Sequence, residues 1–347
     1  MTIIPLVDAA GPAARLRRRT LANLACMGHC APTVMQTLLD ASGVQAPWLV
    51  KASGGLPGGI ANTGDECGGV TAPLMLLGLR HAHDPLDRGL PVVVYKGHEL
   101  LRRFAASHGT VLCRDIRGRD RLPLRCVGVI RHAPETYAQS ASQDAASVLP
   151  EDARRAFARL HAHFAEHDFH CARAVTGLAD RSLADALSGF AGGTVFSGGT
   201  CGALTAGVVA LGAARGAIEH SRLRVLRMIG VMAMGGDAFA DKYNAFNRTM
   251  NLGHRLARWF TDEFGSTQCR VLTRCDFSTA AGVTRYVECG TVNRCQGLAR
   301  RVALKVQALI EQDAGPPSLS NGVMIGPESE IPARSGMMPA AASARGG

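Results

Sequence analysis

A glycine-rich stretch containing one cysteine occurs twice in the chain, and this repetition most constrains the fold. The first copy spans residues 54–79 and the second residues 189–212. Shifted by 134 positions, they share ten identities over 24 aligned positions, among them Cys67 and Cys201. Such agreement is hard to obtain by chance, even in a chain rich in glycine and alanine. The pattern therefore predicts a tandem duplication.

Length and composition favour two helical domains. The chain has 347 residues, which suits two domains of about 150 residues each. Only 5% of the residues are aromatic, whereas 47% are hydrophobic, and the apolar residues recur at helical intervals. We predict an all-α fold of two homologous helical-bundle domains from a tandem duplication, covering residues 12–145 and 146–313. Residues 314–347 are rich in Pro, Gly, Ala and Ser and are predicted to be a disordered tail.

Local patterns give several further predictions. Residues 202–218 read as a buried helix of small residues rather than a membrane span, since the segment is short and contains Arg215. Residues 109–126 and 265–295 are predicted to be irregular. Residues 133–149, which are small and polar, are predicted to be a linker.

Three more cysteines accompany the glycine-rich stretch in each copy. A His-Cys-Ala triplet at 29–31 recurs at 170–172, and residues 97–114 recur as 253–270, both ending in Cys-Arg. A fourth cysteine follows the third after 13 residues in the first copy and after 26 in the second. The candidate metal ligands are Cys30, Cys67, Cys113, Cys126, Cys171, Cys201, Cys269 and Cys295, which leaves Cys26, Cys275 and Cys289 outside the pattern.

Four thiolates are the ligand set of an iron–sulfur cluster ([4Fe–4S] or [2Fe–2S]) or of a structural zinc. The wide spacings disfavour a zinc ribbon, which needs close CxxC pairs. Cys67 is predicted to lie in the first turn of a helix, and a helix is predicted to follow Cys201. At a helix N-terminus the amides and the macrodipole should lower a thiol pKa and favour an anionic cluster. Glycine lets backbone amides approach the sulfurs. The candidate cofactor-binding residues are Gly58, Gly59, Gly64, Gly68, Gly192, Gly193, Gly198, Gly202, His98 and His254.

Two other readings of these cysteines remain open. In the first, the chain is a metal-free thiol–disulfide redox protein in which Cys67 and Cys201 exchange with the other cysteines. In the second, it is a structural or storage protein that binds zinc or another metal. The leading hypothesis is an iron–sulfur electron-transfer protein with one four-cysteine site per domain.

Charge and cysteine content bear on partners and location. The net charge is +10, but the basic residues are scattered without interleaved aromatic residues, which argues against nucleic-acid binding. The positive charge instead favours an acidic redox partner protein. Eleven cysteines without a visible signal peptide indicate the reducing cytoplasm, with no membrane association. The duplication also suggests a monomeric pseudo-dimer.

These motifs resemble the redox-active protein family named for its C…GCAxxG…C…C pattern. Cys-Gly-Ala at 201–203 and Phe-Gly-Ser-x-x-Cys at 264–269 match it closely, whereas 67–69 and 108–113 match it more loosely. Alanine replaces the last glycine of the pattern in both copies. The resemblance covers about residues 20–310 and implies a helical fold and redox activity. A related domain in split-Soret cytochromes carries an iron–sulfur centre, which supports a cluster by analogy; no CxxCH occurs here, so covalent haem is not implied.

Overall fold

The computed structural model describes residues 13–81, 89–118, 122, 124–142, 150–167, 169–176, 181–236 and 245–314. These residues form sixteen α-helices and no β-strand, which confirms the all-α prediction. Extended backbone pairs only in two isolated antiparallel bridges within this part of the chain, Glu66 with Leu112 and Thr200 with Gln268. The predicted tail at 314–347 lies, from residue 315 onward, outside the described residues.

The first copy contains α1 (Ala13–Met27), α2 (Cys30–Ser42), α3 (Pro47–Ala52), α4 (Gly68–His81), α5 (Gly89–His108), α6 (Cys113–Arg117) and α7 (Leu124–Ser142). The second contains α8 (Glu151–His167), α9 (Arg173–Thr176), α10 (Arg181–Ala186), α11 (Gly202–Arg215), α12 (Arg222–Ala233), α13 (Ala245–Phe264), α14 (Cys269–Thr273), α15 (Ala280–Glu288) and α16 (Thr291–Ala314). Among the described residues, no helix has both the length and the apolar character needed to cross a membrane.

Two insertions distinguish the second copy from the first. The segment between α11 and α13 is 22 residues longer than that between α4 and α5, and it contains α12. The segment between the third and fourth cysteines is 13 residues longer in the second copy, and it contains α15. The remaining helices correspond in order. The asymmetry between the copies is therefore concentrated in α12 and α15.

Several local predictions are wrong in an instructive way. Residues 133–142 are not a linker, because α7 continues to Ser142 and buries Ala133, Tyr137 and Ser140. Helix α7 packs on α1, α5 and α4. The rest of the predicted linker, 143–149, lies outside the described residues. Similarly, the segments predicted to be irregular contain α6, α14 and α15, together with the first turns of α7 and α16. Small, polar and basic residues in these segments give a weak helical pattern, whereas tertiary packing holds them in helices.

The two copies pack as one compact unit that ends at Asp313. Helices α4 and α11 form its centre, and both are apolar on almost every face. Helix α4 packs on α10 of the second copy, and α11 packs on α3 of the first. These reciprocal contacts give the unit an approximate internal two-fold symmetry. Both copies contribute to the main hydrophobic core, and a second apolar cluster lies around α8 and α15.

Candidate metal centres

Four cysteines of the first copy converge on one cavity of about 310 Å³. Cys30 and Cys113 are the first residues of α2 and α6. Cys67 lies immediately before α4, one residue earlier than the predicted first-turn position, and Cys126 lies in the first turn of α7. We call these residues the first thiol group. Their place at helix starts directs unpaired backbone N–H groups towards the sulfurs.

The second thiol group repeats this arrangement in a much smaller cavity of about 20 Å³. It consists of Cys171, Cys201, Cys269 and Cys295, and all four line that cavity. Four aromatic rings line it with them, from Phe164, Phe196, Phe277 and Tyr286. The Tyr286 hydroxyl donates a hydrogen bond to the sulfur of Cys295. The sequence analysis did not predict these rings. One of them, Tyr286, belongs to α15, which lies in the extra residues between the third and fourth cysteines of the second copy.

The glycine-rich stretch forms an unusual backbone turn beside each thiol group. Five consecutive residues, 58–62, have positive φ angles, with values of 51°, 58° and 60° at Ile60, Ala61 and Asn62. Residues 192–196 repeat this left-handed turn. Each non-glycine residue in such a conformation costs roughly 1–2 kcal/mol. The surrounding structure therefore holds the turn in place, and its recurrence in both copies indicates a function.

The predicted cofactor-binding glycines lie against the thiols or their neighbours. The backbone amide of Gly58 hydrogen-bonds to the sulfur of Cys30. A Cβ atom on Gly59 would lie 2.7 Å from the Cβ of Cys113, and one on Gly68 would lie 2.5 Å from the Cys30 sulfur. Only glycine permits such approaches. Gly64 packs on Arg114, while Gly192, Gly193, Gly198 and Gly202 hold the equivalent places in the second copy.

Gly59→Ala is expected to destabilise the chain by roughly 3 kcal/mol or more. It combines a positive φ with a Cβ that would lie 2.5 Å from the Asp65 carbonyl oxygen. Gly43→Ala is the matched control, because Gly43 also has a positive φ but nothing lies within 4 Å of its added Cβ. It should cost only about 1 kcal/mol. Thermal unfolding midpoints measure both, and equal losses would contradict the close approach at Gly59.

The two predicted histidines lie at the contact between the copies. The Nδ1 atom of His254 donates to the Ala61 carbonyl oxygen at 3.1 Å, and His98 hydrogen-bonds to the carbonyl of Val195. Each histidine therefore binds the left-handed turn of the other copy. Neither is among the residues that line the two thiol cavities. Their position is that of groups that fix the turn rather than groups that contact the sulfurs.

The predicted lowering of the thiol pKa at Cys67 and Cys201 is wrong. Burial, followed by the neighbouring thiols, raises the pKa of Cys67 well above its ordinary value. Burial also raises the pKa of Cys201 to about 12, despite amide hydrogen bonds from Ala203 and Leu204. Desolvation and like-charge repulsion raise the thiol pKa by more than the amides at the helix start lower it. The buried thiols keep their protons unless a cation replaces them.

Two acidic residues connect the thiol groups, and sequence reasoning missed both. The Glu66 carboxylate accepts hydrogen bonds from the amide and hydroxyl of Thr200, at 3.0 and 2.5 Å. Asp65 accepts from Thr267 at 3.1 Å and from Gln268 at 3.0 Å. Thr200 and Gln268 immediately precede Cys201 and Cys269. The sequence does carry a signal for them. The first glycine-rich stretch has an Asp-Glu pair at the positions where the second copy has Gly-Thr.

The donor chemistry at both groups fits an iron–sulfur cluster. Each group offers four sulfur ligands, with backbone amides directed at some of the sulfurs. Within the described residues, no three His, Cys, Asp or Glu side chains are already arranged around a single metal ion. The four thiolates of a two-iron or four-iron cluster would lie farther apart than four thiolates on one zinc, so sulfurs spread around a cavity would suit a cluster better.

Comparison with family models decides the relationship of the chain to known proteins. Residues 28–140 and 163–309 each match the model described as "Putative redox-active protein (C_GCAxxG_C_C)". The chain belongs to this family. One match falls in each copy, so the resemblance to this family and the tandem duplication are both confirmed. No curated protein and no solved structure matches the chain.

Proposed function

We propose that the chain is an iron–sulfur redox protein that transfers electrons and carries one cluster at each thiol group. One observation carries the proposal. Four cysteines from four separate elements line a single cavity, and this happens twice in the same chain. Core packing alone gives no reason for four thiols to meet at equivalent places in both copies.

The surroundings of the thiols support a bound anionic cluster. The amides of Gly58 and Gly68 hydrogen-bond to the Cys30 sulfur, and the Gly69 amide donates to Cys67 at 3.4 Å. Helices α4 and α11 begin immediately after Cys67 and Cys201, so their positive ends face the two groups. A cluster bound there would supply one-electron transfer, and these amides would stabilise its charge and adjust its potential.

The metal-free thiol–disulfide alternative fits the thiols less well. Exchange requires an accessible thiolate, whereas Cys67, Cys113, Cys201 and Cys269 are buried and their pKa values are raised. A bound metal replaces thiol protons and so offsets this cost. Burial and raised pKa values therefore favour ligation over exchange.

Partners and location follow from charge and thiol state. The net charge of +10 favours an acidic redox partner protein. All eleven cysteines are free, which suits a reducing compartment such as the cytoplasm. We further propose a monomer in which the second copy takes the place of a dimer partner.

Anaerobic purification tests the proposal directly. We expect a brown protein with charge-transfer absorption that bleaches on reduction. A [4Fe–4S] cluster at each group would give about eight irons and eight sulfides per chain, and [2Fe–2S] clusters about four of each. Colourless protein without iron but with titratable thiols would support thiol exchange. Stoichiometric zinc without sulfide would support the structural metal alternative, and either result would overturn the proposal.

A further inference from the structure

The first thiol group opens into an apolar pocket that the second group lacks. Helix α12, from the first insertion of the second copy, packs on α1 of the first copy. The amide of Ser221 donates to the Cys26 carbonyl oxygen at 2.8 Å, which fixes the start of α12. Gly28 makes room for it, because an added Cβ would lie 2.8 Å from the terminal methyl of Met228. The inserted helix thus forms one wall of the larger cavity.

The walls of this pocket are almost entirely hydrocarbon. We call it the α12 pocket; it is lined by Leu21, Leu24, Ile130, Val225, Met228 and Met232, with the first thiol group at one end. No acidic side chain is among its lining residues in the described part of the chain. A cation would find no partner here, and the apolar walls favour a mainly apolar ligand.

One polar side chain is available to orient a ligand. The half-buried guanidinium of Arg117 lines the pocket beside Cys113 and Cys126. Within the described residues it makes no ion pair or hydrogen bond. His29 also lines the pocket, but its two ring nitrogens are engaged with Met27 and Asn247. Arg117 is therefore the group placed to donate to an acceptor on a ligand.

We propose that the α12 pocket binds a neutral, mainly apolar molecule of about the size of two fused aromatic rings, with one carbonyl-type acceptor facing Arg117. The cavity of about 310 Å³ includes the space between the four thiols, and it is roughly twice the apolar cavity of about 150 Å³ that accepts benzene, so its α12 end has room for a ligand beside the thiol group. Few convergent polar groups in a hydrocarbon cleft are typical of small-molecule sites. The second thiol group has no comparable apolar extension, because the four rings enclose it.

The inference goes beyond the proposed redox function and does not depend on a cluster. The pocket walls belong to α1, α7 and α12, and they remain when the thiols hold no metal. A ligand seated there would lie next to the first thiol group, whereas the second group stays sealed. The two copies would then differ in role, with ligand access only at the first.

The test uses the full chain and the neutral naphthalene ketone 6-propionyl-2-dimethylaminonaphthalene, whose emission shifts to the blue in apolar sites. Met228→Trp fills the pocket from α12, and Ala25→Trp narrows it from α1. Leu226→Trp is the matched control on the outer face of α12, because Leu226 is 64% exposed. We expect saturable one-to-one binding in the wild type and in Leu226→Trp. Binding should be weakened about tenfold or more in both pocket variants.

Each outcome decides the inference. Wild-type affinity in Met228→Trp and Ala25→Trp, absence of saturable binding, or a loss confined to Leu226→Trp would overturn it. If Met228→Trp does not fold, Ala25→Trp decides, because Ala25 is exposed and tolerates a larger side chain. The same titration after removal of iron by a chelator should still give saturable binding, because α1, α7 and α12 form the apolar walls. The two proposals are therefore tested separately. Iron-free protein could still bind the dye, and protein that does not bind the dye could still contain iron.

Discussion

Replacing Gly78 by alanine is expected to lower the stability of the chain by roughly 3 kcal/mol or more. The added Cβ would lie 2.4 Å from the carbonyl oxygen of Asp185 and 2.9 Å from that of Ala186. Both atoms belong to backbone of the second copy, which cannot move aside like a flexible side chain. The substitution would therefore push α4 and α10 apart and open the shared core.

Internal symmetry supplies a second variant and a control for this prediction. Gly212→Ala should be equally damaging, because its Cβ would lie 2.4 Å from the carbonyl oxygen of Ala52. Gly297→Ala lies in α16, is exposed and has nothing within 4 Å of the added Cβ. It should instead stabilise the chain by about 0.5–1 kcal/mol, because glycine is a poor helix residue. Thermal unfolding midpoints measure these effects. Equal midpoints for Gly78→Ala and Gly297→Ala would contradict the close packing of Gly78 on α10.

The second large effect concerns the lifetime in air of the proposed clusters at the two thiol groups. Cys67→Ser should leave iron only in the second thiol group, and Cys201→Ser only in the first. The second group is enclosed by four rings, whereas the first opens into the α12 pocket. We expect the absorption of Cys67→Ser to bleach at least roughly tenfold more slowly than that of Cys201→Ser. This ratio corresponds to an opening cost of about 1.4 kcal/mol.

Bleaching after exposure to air, followed at a visible wavelength, measures both lifetimes in otherwise identical samples. Phe196→Ala in the Cys67→Ser background is a useful companion, because it removes one ring from the enclosing wall and should shorten the lifetime. Equal lifetimes in Cys67→Ser and Cys201→Ser would show that the rings do not control the access of oxygen to the second thiol group.

Much of the fold could be predicted from the sequence because the duplication repeats the decisive residues. Helices α4 and α11 follow from apolar runs next to a repeated cysteine, and the pairing of four cysteines in each copy follows from the same alignment. Cys126 and Cys295 follow the third cysteine at unequal spacings, and the insertion that contains α15 accounts for the difference. The repetition thus identified which cysteines belong together, whereas one copy alone did not distinguish them from ordinary core cysteines.

The environment of the thiols could not be predicted, since it depends on elements distant in the chain. No local pattern indicates that α12 packs on α1 of the other copy, or that Tyr286 reaches Cys295. The balance between burial and helix-start amides at Cys201 also needs the packed core, which is why its pKa was predicted in the wrong direction. The second copy keeps the family motif more closely, yet the first has the open cavity.

The central claim is that the two thiol groups are the metal-binding redox centres of the chain. Iron and sulfide per chain in the double variant Cys67→Ser/Cys201→Ser test it most directly, beside the wild type and Cys289→Ser. Cys289 is exposed and lines neither thiol cavity, so its variant should keep the wild-type content. The account predicts that the double variant loses essentially all iron and sulfide while remaining helical by circular dichroism. Wild-type iron in the double variant, or iron-free wild-type protein, would contradict it.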